Sequence, residues 1–210
     1  HLDLATLEQL WQQHHMRIVT PLGNDAIIHE RLPEARVDAR DWGEEVEISP
    51  DLTVYLEPMH HWSARSLWDR NQALWATFVL ATPGGRICFV GDSGYGGGDN
   101  FRHIAVRHGP LRLAILPIGS YEPRWFMRRV HIDPAEAVEA HRVLEASKSL
   151  GIHFGTFQLT DEGRERPLVD LARACDAQGV PREDFVALEP GHALTLPSRD
   201  AERRLREGAE

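Results

Sequence analysis

LWATFVLATPGGRICFVGDSGYG, residues 74–96, is the stretch on which the fold turns. Two apolar runs, Leu74–Ala81 and Arg86–Gly91, are joined by Thr-Pro-Gly-Gly, the composition of a hairpin connection. The second run delivers a carboxylate, Asp92, into a turn between two glycines, and glycines allow the backbone to fold closely around a bound ion. An Asp in that place is equally a common way to start a turn, so Asp92 alone leaves both readings open.

Working upstream, HLDLATLEQLWQQHH reads as an amphipathic helix with Asp3 as N-cap and a stripe of Leu4, Leu7, Leu10 and Trp11. RIVTP and the segments Asp25–His29 and Arg36–Ala39 read as short strands. Glu45–Ile48 and Leu52–Glu57 flank a Ser-Pro-Asp turn as a second hairpin. Downstream, Gly94–Gly98 leads into a helix over Asp99–Arg107, and Leu111–Pro117 follows as a buried strand. Asp133 as N-cap and Pro134 at the first position start a helix that the apolar spacing carries to Leu150–Gly151. A short strand at Ile152–Phe154, a helix at Pro167–Gln178 and strands at Phe185–Leu188 and Ala193–Leu196 complete the order. Antiparallel β first, then alternating β and α, predicts half of a mixed α/β (α+β) sandwich and not a doubly wound sheet. Residues 1–197 form one domain, and the charged stretch 198–210 reads as a frayed tail.

Composition narrows the functions. At 210 residues and 42% hydrophobic, the chain can bury a substantial core as one domain. A formal net charge of -9 argues against sequence-independent nucleic-acid binding, which needs a basic surface. An anionic substrate stays open, because a bound dication reverses the local field. Cys88 in a strand and Cys175 on a helix read as reduced, buried thiols of an intracellular protein. No apolar run approaches the roughly 20 residues that span a bilayer.

Two more polar residues share the position of Asp92 at the end of an apolar run. His61 lies in LTVYLEPMHHWS and His153 in GIHFGTF. His60 and His61 point to opposite sides of an extended backbone, so at most one of them reaches a common site. Taken singly, His153 reads as a core histidine and the His60–His61 pair as solvent-facing. Taken together, imidazole, imidazole and carboxylate at strand ends suit zinc or a related transition metal. The loop Gly119–His131 packs Tyr121, Glu122, Arg124, Trp125, Phe126, Arg128, Arg129 and His131 into a short connection. Arginines grip phosphate bidentately and aromatics wall a pocket, although Glu122 pairing with Arg124 or Arg128 would make it a structural loop.

LPIGSYEPRWFMRRVHIDPAEAV followed by IHFGTF, with GDSGY and HHWSAR upstream in the same order, closely resembles the N-acyl-phosphatidylethanolamine-hydrolysing phospholipase D branch of the metallo-β-lactamase superfamily. The similarity runs from His1 to about Leu196. It implies an αββα sandwich holding one or two metal ions, with Asp92 bridging two metals, His61 on the first and His153 on the second. His60 falls where the family uses no ligand. In that family a His-x-His-x-Asp-His motif precedes Leu-Asp and a helix, so His1 of His-Leu-Asp stands for its last histidine. The N-terminal αβ layer and the rest of the first-metal ligands are then expected to be missing, leaving one sheet face bare.

The resemblance implies two zinc ions (Zn2+), or another divalent transition metal, and hydrolysis of a phospholipid phosphodiester by a metal-bridging hydroxide. On this reading Asp92 fixes the metal spacing, and His131 with the Tyr121–Arg124 segment lines the mouth of the site and orients the phosphate or leaving group. Asp92 and His131 are then the catalytic candidates, and Tyr121, Glu122, Arg124 and Trp125 the substrate-binding ones. A cytoplasmic protein with peripheral membrane contact and a homodimeric state fit the same reading. The alternatives are a lactonase or other ester hydrolase on the same scaffold, or a non-catalytic fragment.

Overall fold

The computed structural model describes residues 2–196. Seven strands form one sheet in sequence order: β3 (Glu45–Ser49), β4 (Leu52–Glu57), β5 (Thr77–Thr82), β6 (Gly85–Phe89), β7 (Leu113–Pro117), β8 (Lys148–Ile152) and β9 (Phe185–Ala187). The hairpin of residues 74–96 is β5–β6, with Val79 opposite Cys88. β3 to β6 pair antiparallel, and β6 to β9 pair parallel. β4, β6, β7 and β8 therefore all run in the same direction and end at one edge of the sheet. In open α/β sheets that carboxyl edge is where ligands bind.

Three helices make the parallel crossovers: α3 (Asp99–His108), α5 (Pro134–Val143) and α6 (Arg166–Gln178). The strands advance in one direction, and right-handed crossovers then place every helix on the same face. Val79, Cys88, Ala114 and Leu116 point to that face and join Ile104, Val138, Leu144 and Leu171 in one buried core. Alternation sends Phe89 to the opposite face, where it is 41% exposed. A smaller unit precedes the sheet: α1 (Leu4–His14), β1 (Ile18–Pro21), α2 (Asn24–Arg31) and β2 (Val37–Arg40), packed around Ile28, Leu32 and Ala35. The seven-stranded sheet with its one helix layer is the expected α/β arrangement.

Local chemistry explains the helix ends. Asp3 accepts from Ala5 N and caps α1, and His15 closes it with φ 45°. Asp133 and Glu136 form a reciprocal capping box on α5, with Pro134 in the first turn. Gly179, at φ 67°, ends α6.

Four sequence expectations are corrected. Asp25–His29 is helical, inside α2, because Ile28 and Leu32 bury together at helical spacing against α1 while Ile27 points away from the core. α5 stops at Val143 and does not reach Leu150. Glu145 turns to φ 48°, and the next segment pairs with β7 as β8. Ser149, buried in β8, contributes its hydroxyl to a 2.8 Å hydrogen bond with His141 Nδ1, so a run that looked like helix is tied into the sheet. His153 consequently follows its strand and does not lie within it, and Ala193–Leu196 forms no strand. The tail 198–210 lies outside the described residues.

Glu57 closes β4 with a fully buried carboxylate. Its oxygens meet His108 Nε2 at 2.6 Å, Arg107 Nη1 at 2.8 Å and His103 Nε2 at 3.2 Å, so α3 is bolted to the sheet. Burial pushes the Glu57 carboxyl up, but the His108 hydrogen bond and the Arg107 charge outweigh it and hold the group below its ordinary range. A depressed carboxyl contributes stability above its unfolded value, about 4.3, and loses it as pH falls through the folded value. Glu57→Gln is expected to lower unfolding free energy by about 2 kcal/mol at pH 7. That difference shrinks below about pH 4, a trend that urea titrations of both proteins at several pH values will check.

Candidate metal centre

The carboxyl edge of the sheet collects four functional side chains from loops that leave β4, β6, β7 and β8. His61 follows β4, Asp92 follows β6, His131 ends the connection after β7, and His153 comes directly after β8. Asp92 is the hub. Its Oδ1 lies 2.7 Å from His131 Nδ1, and its Oδ2 lies 3.5 Å from His61 Nε2 and 3.4 Å from His153 Nε2. The His131 ring stands 5.8 Å from that of His61 and stacks on that of His153 at 5.6 Å.

Backbone contacts fix this convergence. Gly91 turns the chain after β6 at φ 70°. Gly94 N then donates to His60 O at 2.8 Å, and Ile132 N donates to Ser93 O at 2.8 Å. The turn after Asp92 thus ties down the loop carrying His61 on one side and the loop carrying His131 on the other. A methyl group at Gly94 would lie 2.2 Å from the Arg129 carbonyl oxygen, so only glycine permits this approach. Gly119 does the same for His153, whose carbonyl oxygen would be 2.2 Å from a Cβ there. His153 itself adopts φ 62°, a left-handed conformation uncommon for a residue other than glycine.

The electrostatics follow. The Asp92 hydrogen bond raises the His153 imidazole above its ordinary pKa, burial works against it, and the Gly119 carbonyl adds to the rise. A divalent cation would compete for the same lone pairs, and the donor set fits one. One ligand atom from each of Asp92, His131 and His153 lies within 4.8 Å of the others, all three partly buried. Imidazole nitrogen with carboxylate oxygen is the chemistry of zinc-type sites.

His61, Asp92 and His153 are brought together, and His60 turns away with its ring packed over Gly96. His131 belongs to the cluster itself, closer to Asp92 than either other imidazole, and not to the mouth where the sequence set it. His1 lies outside the described residues. The four residues expected at the substrate divide differently. Tyr121 is buried and donates to Asp170 Oδ2 at 2.8 Å. Burial and that hydrogen bond push its phenol pKa upward. Glu122 accepts from the Arg124 backbone.

Arg124 gives no free fork for phosphate. It holds Glu136 at 2.7 Å, Asp133 at 3.2 Å and the His131 carbonyl at 2.9 Å. These contacts make it the strut between the helix α5 cap and His131, and the internal ion pairs of this loop run to Asp133 and Glu136, not between Glu122 and Arg128. Trp125, in the short helix α4 (Arg124–Met127), is 80% exposed.

A residue that no motif announced completes the frame. Glu162 accepts from the backbone N–H groups of Ser120 and Tyr121 through Oε1, at 2.6 and 3.3 Å, and of Glu122 through Oε2, at 3.0 Å. It locks the loop after β8 onto the loop after β7. Beside it a cavity of about 190 Å³ opens from His153 between Ser120, Phe154, Phe157 and Arg164.

A mixed sheet with helices on one face and a His-rich, Asp-centred cluster at its carboxyl edge defines a metallohydrolase-type scaffold. The chain belongs to the family of the beta-lactamase superfamily domain, whose model matches residues 1–154. It is 37% identical over 164 residues to N-acyl-phosphatidylethanolamine-hydrolyzing phospholipase D 1 of Caenorhabditis elegans, covering 76% of this chain and 46% of that protein. It is 35% identical over 167 residues to the mitochondrial N-acyl-phosphatidylethanolamine-hydrolyzing phospholipase D of Saccharomyces cerevisiae, covering 77% and 35%. The chain therefore spans about half the length, or less, of these curated relatives. Among solved structures, a metallo hydrolase from Ignicoccus hospitalis superposes with a TM-score of 0.67 at 16% identity, over 92% of this chain and 74% of that one. The metallo-beta-lactamase fold protein YhfI of Bacillus subtilis gives 0.61 at 14%, over 90% and 70%. The fold is that of the metallo-β-lactamases.

Because Gly94 has no room for a side chain, Gly94→Ala is expected to displace the His131 loop and cost about 1–3 kcal/mol of stability. Thermal unfolding, together with the histidine ring resonances by NMR, will read both effects.

Proposed function

We propose that this chain supplies the metal centre of a metal-dependent phosphodiesterase of phospholipase D type, acting on N-acyl-phosphatidylethanolamine-like lipids. The observation that carries the reading is the contact of one carboxylate, Asp92, with three imidazoles at the carboxyl edge of the sheet. The two phospholipase D relatives, which share a third or more of their residues over three quarters of this chain, support the substrate class.

His61, Asp92, His131 and His153 would hold the metal, for which zinc is the best match. When bound, such an ion supplies Lewis acidity and makes water a nucleophile near neutral pH. The residues do the rest. Asp92 presents one oxygen toward His131 and the other toward His61 and His153, so it sets the spacing of everything bound there. Arg124 and the hydrogen bond from Ile132 to Ser93 keep His131 from swinging out. The cavity at His153, walled by Phe154 and Phe157, gives an apolar approach with Arg164 as a cation at its rim. Such a wall limits water access and accepts the hydrocarbon part of a lipid substrate.

Zinc titration by calorimetry gives a direct test. Asp92→Ala and His153→Ala are each expected to weaken zinc binding by tenfold or more. His131→Ala separates two roles: weaker zinc binding makes it a ligand, and unchanged binding with reduced turnover makes it a proton-carrying group. The zinc-loaded protein should release N-acylethanolamine from N-acyl-phosphatidylethanolamine. Turnover of lactones alone would replace the phosphodiesterase reading with the lactonase one.

A further inference from the structure

Seven large apolar side chains among the described residues are more than 60% exposed, and six of them sit on three loops. Leu67 and Trp68 lie on the loop of residues 58–76, Trp125 and Phe126 on that of 118–133, and Phe157 and Leu159 on that of 153–165. The seventh, Val106, is on α3. These are the loops that carry His61, His131 and His153. All leave the same edge of the sheet. Singly exposed apolar residues are ordinary, but a set confined to the rim of one site marks an interaction surface.

The charges on these loops are sorted as well. Asp69 turns inward onto the backbone N–H groups of Arg65 and Ser66, and Glu162 onto those of Ser120, Tyr121 and Glu122. Arg70 lies over the Trp62 ring at 5.1 Å, and Arg128 and Arg129 follow Trp125 and Phe126 into solvent. Among the described residues none of Arg70, Arg128 and Arg129 forms an ion pair. The third loop differs: Asp161 is exposed there, and Arg164 pairs with Glu165 and Glu189. On a chain of net charge -9, the first two loops therefore present cations beside indole and phenyl rings. Aromatic rings at the level of lipid headgroups, with arginines facing anionic phosphates, are how proteins seat on a bilayer surface.

We propose that the edge bearing the Asp92 cluster docks on an anionic phospholipid bilayer through the tips of these three loops. The docking surface deepens the functional reading above and rests on it: it names where the site meets a substrate that resides in a membrane. No basic amphipathic helix is needed, because the loops that hold the ligands at their bases insert their apolar side chains at their tips.

The test uses vesicles of phosphatidylcholine with and without phosphatidylserine, free of N-acyl-phosphatidylethanolamine, so that binding is read apart from hydrolysis. The zinc-loaded protein is expected to sediment with the serine-containing vesicles and to shift its tryptophan emission to shorter wavelength. The triple variant Leu67→Ser, Trp68→Ser, Phe126→Ser should partition about tenfold less or worse, as loss of three inserted apolar side chains requires. Arg128→Gln with Arg129→Gln should lose about fivefold per arginine, and less at high salt. All five side chains are exposed, so thermal midpoints should match the parent and exclude misfolding. Parent protein that ignores vesicles, equal binding with and without phosphatidylserine, or variants that bind like the parent would overturn the proposal. A triple variant that turns a dimer into monomers yet partitions normally would also overturn it, by showing a protein interface. If vesicle binding behaves as expected while N-acyl-phosphatidylethanolamine is not cleaved, the functional reading fails and the docking surface stands.

Discussion

A half-buried carboxylate with three imidazoles drawn around it is the constraint on which this end of the molecule depends. Asp92 is reached from three other loops, and each has to approach a single side chain closely. Strand direction does the coarse work, since β4, β6, β7 and β8 all finish at one edge. Glycine does the fine work. Gly94 and Gly119 lie under the backbones of the neighbouring loops with no space for a methyl group, so the loops settle close enough for their histidines to meet.

The contrast with Glu57 shows why one buried carboxylate is structural and the other chemical. Glu57 sits at the end of β4 with a guanidinium, Arg107, against it as well as imidazoles. An arginine is charged at every accessible pH and offers no lone pair, so that group is balanced permanently and binds nothing further. Around Asp92 stand imidazoles, whose nitrogens carry lone pairs that ligate metals. The two carboxylates close strands of the same direction in the same sheet, and the type of cation beside each decides its role.

Much of this was legible in the sequence because it is local. The β5–β6 hairpin, the Asp133–Pro134 start of α5 and the end of α6 at Gln178 are written in consecutive residues. Asp92 and His61 announce themselves by following apolar runs, and a family resemblance set their roles. Other features depend on contacts between distant segments. α2 looked extended because Ile27 and Ile28 are adjacent and β-branched, yet burial of Ile28 with Leu32 against α1 favours helix over propensity. The end of α5 is decided by pairing of β8 with β7, and apolar periodicity gives no sign of it. Arg124 looked like a phosphate ligand because its carboxylate partners, Asp133 and Glu136, lie across a turn of chain. Glu162 bears no motif at all, since its partners are backbone N–H groups.

That last contact explains how loops with exposed aromatic tips can still hold a metal site. A row of N–H groups from Ser120, Tyr121 and Glu122 forms a concavity that favours an anion, and Glu162 fills it from the neighbouring loop. The bases of two loops are thereby joined by three hydrogen bonds to one carboxylate, each stronger than a neutral bond. Beyond the clamp, Trp125, Phe126, Phe157 and Leu159 project with little packing beneath them. Stiffness at the base and exposure at the tip are what a site at a surface requires. The ligand geometry is set by the sheet and the clamp, so movement of the tips against a partner need not pass down to Asp92.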